Sequence, residues 1–153
     1  MTDYKPLERE IRILLVEDNP ADVRLTREAL KEGQLPTNLE VARDGVEALE
    51  YLKRKGRFSH VARPDMILLD LNLPRKDGRQ VLAEIKVDET LREIPVVILS
   101  TSQSDDDVSS SYDLHANCYI SKPVDLDRYI HVIRAIEAFW GCVAQLPAGR
   151  GEQ

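Results

Sequence analysis

Three acidic side chains stand where short apolar runs end: Glu17 and Asp18 after IRILLV, and Asp70 after MILL. If those runs are neighbouring strands, the three carboxylates meet on one rim. Two like charges about 4 Å apart repel by roughly 4 kcal/mol at an effective dielectric of about 20, so such a cluster binds a cation or keeps carboxyls protonated. An all-oxygen donor set suits Mg²⁺, which retains several waters and takes one or two carboxylates together with phosphate oxygens. Two further runs end in Ser100 and Lys122, which add a hydroxyl and an ammonium. A phosphoryl group on Asp70 needs both kinds of group, because its transfer depends on positioning and on charge stabilisation. Taken singly, each residue is an ordinary strand-end polar group; it is the combination that points to phosphoryl chemistry.

The elements that must position these groups are five apolar runs rich in β-branched residues: Ile11 to Val16, Leu39 to Ala42, Met66 to Leu69, Ile94 to Leu99 and Cys118 to Ile120. Each is followed by helical spacing, near Ala21 to Lys31, Gly45 to Lys53, Gly78 to Val87, Asp105 to Leu114 and Leu126 to Trp140. IRILLV and DMILLDL are continuous apolar runs without alternation, as in parallel strands covered by helices on both faces. The fold class is therefore α/β. Turn chemistry divides the units at Asp44-Gly45, Pro64-Asp65, Lys76-Asp77-Gly78 and Lys122-Pro123. In an open parallel sheet, binding groups gather beyond the carboxyl ends of the strands, where the polar residues above fall.

The chain has 153 residues, the length of one ordinary domain, and its 42% hydrophobic and 31% charged content is that of a globular protein with a packed core. The expected organisation is a lead over 1–10, a domain over 11–140 and an extension over 141–153 ending in the tail LPAGRGEQ. A net charge of −6 argues against nucleic acid or an anionic membrane as partner. No apolar run approaches the ~18 residues of a membrane span, and MTDYKPLERE is too polar for a signal peptide, so the expected location is the cytoplasm. Cys118 and Cys142 form no metal or disulfide pattern.

From about Arg12 to Phe139 the chain resembles the response-regulator receiver domain. The resemblance rests on VEDN with Glu17 and Asp18, DLNLPRKDG with Asp70, Pro74 and Gly78, ILSTS with Ser100, and YISKP with Tyr119, Lys122 and Pro123. It implies a flavodoxin-like (βα)5 doubly wound sandwich with a five-stranded parallel sheet in order 2-1-3-4-5. It also implies a role for each matched residue. Asp70 would be the phosphoacceptor and Asp18 a direct Mg²⁺ ligand, with Mn²⁺ able to substitute. Glu17 would hold the ion through water, and Asn72 would lend its backbone carbonyl. Ser100 and Tyr119 would form a switch pair, Lys122 would bind the phosphoryl group, and Lys122-Pro123 would be a cis peptide. The implied protein is a phosphoacceptor in signalling and not a turnover enzyme, and its partner is a sensor histidine kinase that donates from phosphohistidine.

Two positions depart from the common family pattern. The switch hydroxyl is Ser where Thr is commoner, and Thr101 stands beside the site where receivers often carry Ala or Gly. Extra residues around KRKGRFSHVARPD lengthen the stretch between Asp18 and Asp70. With DLNLP and ILSTSQSDDD, that stretch looks like the single-domain regulators serving phytochrome-type kinases, which makes a bacteriophytochrome the expected partner. The basic stretch itself is by default a solvated loop, and His60, His115 and His131 are expected on the surface. An aspartate-nucleophile phosphatase would also put Asp70 at a strand end, but it would normally carry an acid at position 72, where this chain has Asn72. A flavin module would want a hydroxyl- and glycine-rich loop in place of Glu17-Asp18-Asn19-Pro20.

The last helix carries more apolar surface than one sheet face requires. At 100° per residue its apolar side chains span roughly 200° of arc. Tyr129, Val132, Ile136, Phe139, Val143 and Leu146 alternate by three and four, a seam suited to another helix. A homodimer built on this seam is expected.

Overall fold

The computed structural model describes residues 10–33, 35–143 and 146. Five strands, β1 (Ile11–Val16), β2 (Thr37–Ala42), β3 (Met66–Leu69), β4 (Val96–Ser100) and β5 (Cys118–Ser121), alternate with five helices, α1 (Pro20–Lys31), α2 (Gly45–Leu52), α3 (Gly78–Val87), α4 (Asp105–Asp113) and α5 (Leu126–Ala138). All strand pairs are parallel and the order is β2-β1-β3-β4-β5. This is the flavodoxin-like sheet that the resemblance implies.

Side chains of the central strands divide between two cores, as the two-residue period of a strand demands. Leu14, Val16, Ile67, Leu69, Val96 and Ile98 join Ala48, Leu49, Val81, Leu82 and Ile85 of α2 and α3 on one face. Ile13, Leu15, Met66, Leu68, Val97 and Leu99 join Val23, Ala29 and Leu30 of α1 and Tyr129, Ile133 and Ile136 of α5 on the other. β3 and β4 are buried throughout, which is why both appear in the sequence as unbroken apolar runs. β2 and β5 are edge strands and remain half-exposed.

Each rim loop supplies the cap of the helix it starts. Asn19, Asp44, Asp77, Ser104 and Asp125 accept backbone N–H groups in the first turns of α1 to α5, and Asp77 forms a reciprocal capping box with Gln80. At the opposite edge, Lys86 Nζ donates to the Arg92 and Ile94 carbonyls at 3.0 and 2.9 Å and to Asn117 Oδ1 at 3.1 Å. That ammonium ties three segments where the strands begin. The basic stretch after α2 lies at this same edge, with a single 3₁₀ turn at Gly56–Phe58 whose Phe58 packs against the core and meets the Tyr51 ring in a tilted contact at 5.2 Å.

Candidate functional site

Parallel pairing of β1 with β3, Val16 opposite Leu69, brings the acids that follow both strands to one rim. Carboxylate oxygens of Glu17, Asp18 and Asp70 lie within 4.8 Å of one another. Glu17 and Asp70 are buried, and Asp18 faces solvent. Three oxygen donors of this charge, one of them open to water, fit a hard divalent cation such as Mg²⁺ or Mn²⁺. Asp70 Oδ1 accepts the Asn72 backbone N–H at 3.2 Å, which closes the turn after β3 around the carboxylate. Gly78 makes that turn possible. A Cβ there would stand 2.2 Å from the Asp70 carbonyl oxygen and 2.7 Å from Leu71 Cα, so only glycine lets the start of α3 approach so closely.

Lys122, 8% exposed, reaches into the rim from the end of β5. Its Nζ donates to Glu17 Oε1, to Asp22 Oδ2 at 2.9 Å and to Asp70 Oδ2 at 3.3 Å. Burial raises the Glu17 pKa to about 7, while Lys122 pulls it down and Asp70 pushes it up. Burial opposes the charge of Lys122 as well, but the hydrogen bonds to Glu17 and Asp22 and the nearby Asp70 outweigh it and hold the ammonium above its ordinary range. The rim therefore keeps a fixed cation among its acids at neutral pH. Nothing in the sequence singles out Asp22, since an acid in the first turn of a helix has an ordinary role beside the helix dipole.

Ser100, fully buried at the end of β4, accepts the Ser102 N–H on its Oγ at 3.2 Å. The loop beyond it is tied down at several points. Tyr119 Oη donates to the Ser102 carbonyl at 2.9 Å, Ser102 Oγ donates to Asp107 Oδ2 at 2.5 Å, and Arg79 of α3 pairs with Asp107. The half-buried Tyr119 ring packs against the α2–α3 core, so the hydroxyl and the ring expected as a switch pair meet through Ser102. Thr101 is exposed.

Two expectations need correction. The Lys122-Pro123 bond is trans, because no cis peptide occurs among the described residues. Trans is the default for a bond before proline by about 0.5–1 kcal/mol, and Lys122 reaches all three acids from it. The seam proposed along α5 also divides: Tyr129 and Ile136, 3% and 6% exposed, belong to this chain's own α1–α5 core. Tyr129 was claimed inward because its hydroxyl pairs with Thr26 Oγ1 of α1 at 3.0 Å, satisfying two buried polar groups at once. Val132 is half-buried and Phe139 is 50% exposed, edge-on to Trp140. The Val143 side chain lies outside the described residues, although its backbone belongs to a π-helical turn, Phe139–Val143, that continues α5.

The histidines at 60, 115 and 131 are all exposed and remote in role from the rim. The Cys118 thiol is half-buried, and burial pushes its pKa up, as for an unreactive packing residue. No helix among the described residues is long and apolar enough to cross a membrane.

The family profile of the response regulator receiver domain matches residues 13–134. The chain is 49% identical over 136 residues to Response regulator Rcp1 of Synechocystis sp. (strain PCC 6803), covering 89% of this chain and 92% of that protein. Its structure is similar to the phosphorylated cyanobacterial phytochrome response regulator RcpA, with a TM-score of 0.89 and 53% identity over 92% of this chain and 100% of that one. It is also similar to the Mn²⁺-bound form of Rcp1, with a TM-score of 0.87 and 48% identity over 90% of this chain and 99% of the other.

Proposed function

The chain belongs to the response-regulator receiver family, and from that premise we propose that Asp70 takes a phosphoryl group from the phosphohistidine of a phytochrome-type sensor histidine kinase. The observation that carries this reading is the Lys122 ammonium, 3.3 Å from Asp70 Oδ2 in a rim whose other acids suit a divalent ion. A carboxylate oxygen of Asp70 forms the new O–P bond as the P–N bond of the donor breaks and the imidazole leaves. Glu17 through water, Asp18, Asp70 and the Asn72 carbonyl would hold Mg²⁺ or Mn²⁺, which supplies neutralisation of the phosphoryl oxygens. Lys122 adds a fixed positive charge at Asp70 Oδ2.

Phosphorylation would then be sensed by Ser100. Its Oγ now accepts from Ser102 N, and turning to donate to a phosphoryl oxygen breaks that bond. Tyr119 is held by the Ser102 carbonyl and follows the loop. The chain acts as a signalling phosphoacceptor that promotes its own phosphorylation and dephosphorylation in the cytoplasm, through a receiver unit over 11–140 flanked by the lead 1–10 and the extension 141–153. The phytochrome assignment is supported by the names and the 48–53% identities of RcpA and Rcp1. A homodimer through the outer side of α5, with Val132, Phe139 and Val143, completes the reading.

The test is intact mass after exposure to a small phosphodonor with Mg²⁺. One phosphoryl group is expected on the parent and none on Asp70→Asn, which keeps the volume but loses the nucleophile. EDTA should abolish uptake. Full labelling of Asp70→Asn would refute the assignment.

A further inference from the structure

Lys122 presents three N–H donors, and three carboxylates on three different segments take them: Glu17 after β1, Asp22 on α1 and Asp70 after β3. Two of those three belong to the acid cluster that fits a divalent ion, whereas Asp22 does not. An ion that draws on Glu17 and Asp70 weakens their hold on the ammonium, and a phosphoryl group on Asp70 takes one of its donors. Asp22 is then the one carboxylate of the three with no competing demand. We propose that Asp22 is a positioning residue that anchors the Lys122 ammonium over Asp70 when the other two acids are engaged, an inference that rests on the phosphotransfer reading above.

The surroundings of Asp22 suit an anchor. Its backbone N–H is within 3.4 Å of the Asn19 cap oxygen, which already accepts Ala21 N–H at 2.9 Å. Its carbonyl accepts Thr26 Oγ1 at 2.8 Å. Thr26 is fully buried and shares a hydrogen bond with the Tyr129 hydroxyl, itself 3% exposed. The Asp22 backbone is thus fixed on one side by the α1 cap and on the other by the α1–α5 core. Its side chain is 22% exposed, so it reaches Lys122 from the solvent side of the rim.

A fixed carboxylate costs little ordering entropy when it binds, and a charge-assisted hydrogen bond from an ammonium is among the stronger polar contacts. Lysine has a flexible four-carbon stem and a mobile head. Without Asp22 the ammonium would follow solvent once Glu17 and Asp70 are occupied, and the phosphoryl oxygens would lose their protein cation.

Two measurements test this. The first is the ammonium itself, observed by ¹H–¹⁵N correlation spectroscopy of lysine NH₃⁺ groups. In the parent, a slowly exchanging Lys122 signal should persist when Mg²⁺ is added. In Asp22→Asn it should be present without metal and disappear with it. Persistence of the signal in Asp22→Asn at saturating Mg²⁺ would overturn the proposal. The second is phosphoryl uptake from phosphoramidate at saturating Mg²⁺, expected to fall about tenfold in Asp22→Asn, as for one lost charge-assisted hydrogen bond. Asp22→Glu, which keeps the charge, should recover part of the rate. In a Lys122→Met background Asp22→Asn should have no further effect, since the two act as one unit. Equal, independent losses in both backgrounds would overturn the proposal. Asp70→Asn run alongside separates the two readings: if it too is labelled, the phosphotransfer reading has failed, and if it alone is unlabelled while Asp22→Asn matches the parent, only the anchor has failed.

Discussion

Glu17 is the acid of the rim that least tolerates its own charge. Burial lifts its pKa to about 7 despite the opposing pull of Lys122. A folded-state pKa above the unfolded value of 4.5 means that the protonated form is favoured in the fold. The stabilisation is therefore full below that value and is lost as pH rises through about 7. Glu84 and Asp88 are shifted downward by Lys76 and Thr90, so their contributions fade only in more acidic solution and do not mask this window. In EDTA the melting temperature should fall between about pH 5.5 and pH 8, and Glu17→Gln should flatten that slope. Mg²⁺ at the upper pH should restore stability, because it binds the ionised form. A metal-free melting temperature that rises over the same range would show that burial does not govern Glu17. At this scale the sequence disclosed Glu17, Asp18, Asp70, Ser100 and Lys122 because each closes an apolar run and the topology has one place to send such ends. Asp22 stayed hidden because nothing in a helix's first turn distinguishes an acid that serves the dipole from one that grips a lysine 100 residues away. The inward turn of Tyr129 was hidden for a related reason, since spacing reports which residues share a helix face but not which neighbour will cover it.

The helices and strands bear on the rim through backbone as much as through side chains. The start of α3 lies directly under Asp70, and Gly78 donates its N–H to the Leu71 carbonyl at 2.9 Å. Gly78→Ala should drive its methyl into the Asp70 carbonyl and cost about 1–3 kcal/mol, the range of overpacking at a site that cannot relax freely. Urea denaturation should register the loss, and phosphoryl uptake should slow because Asp70, the proposed phosphoacceptor, is displaced. Unchanged stability would mean that the turn after β3 yields more readily than its contacts suggest. β1, β3 and α3 begin and end where the sequence indicates, since buried strands appear as apolar runs and α3 carries both its cap and its period. β4 begins two residues later than its apolar run, at Val96. Pro95 has no N–H to give the ladder, and its carbonyl instead receives Ile67 N. β2 starts earlier, at Thr37, because an edge strand tolerates the polar Thr37 and Asn38 that apolar patterning passes over. α5 gives way after Ala138 to a π turn, which preserves the helical course that the apolar spacing follows through Trp140.

Over the whole molecule, the acidic rim stands at the carboxyl edge of the sheet while exposed apolar side chains, the surface of the proposed homodimer, lie on the flank. Leu126 and Phe139 of α5 and its continuation are 53% and 50% exposed, and Val124 in the loop before α5 is fully so. Light scattering at micromolar concentration should report about twice the chain mass of 17.4 kDa. Phe139→Asp should return the mass to that of one chain without loss of phosphoryl uptake, because an unpaired charge is costly in an interface and the rim lies elsewhere. A mass that stays at one chain across concentrations and with phosphodonor would remove the homodimer. The other end of the sheet has a different use. Gly56, at φ +56°, has no atom within 4 Å of where a side chain would begin, and it tops a turn whose neighbour Phe58 is anchored in the core. This makes it a graft point. A fluorescent reporter or surface tether spliced in there would ride on a pinned loop with the body of the domain between it and the phosphoacceptor, so the molecule can be watched or immobilised while the rim remains open to its kinase.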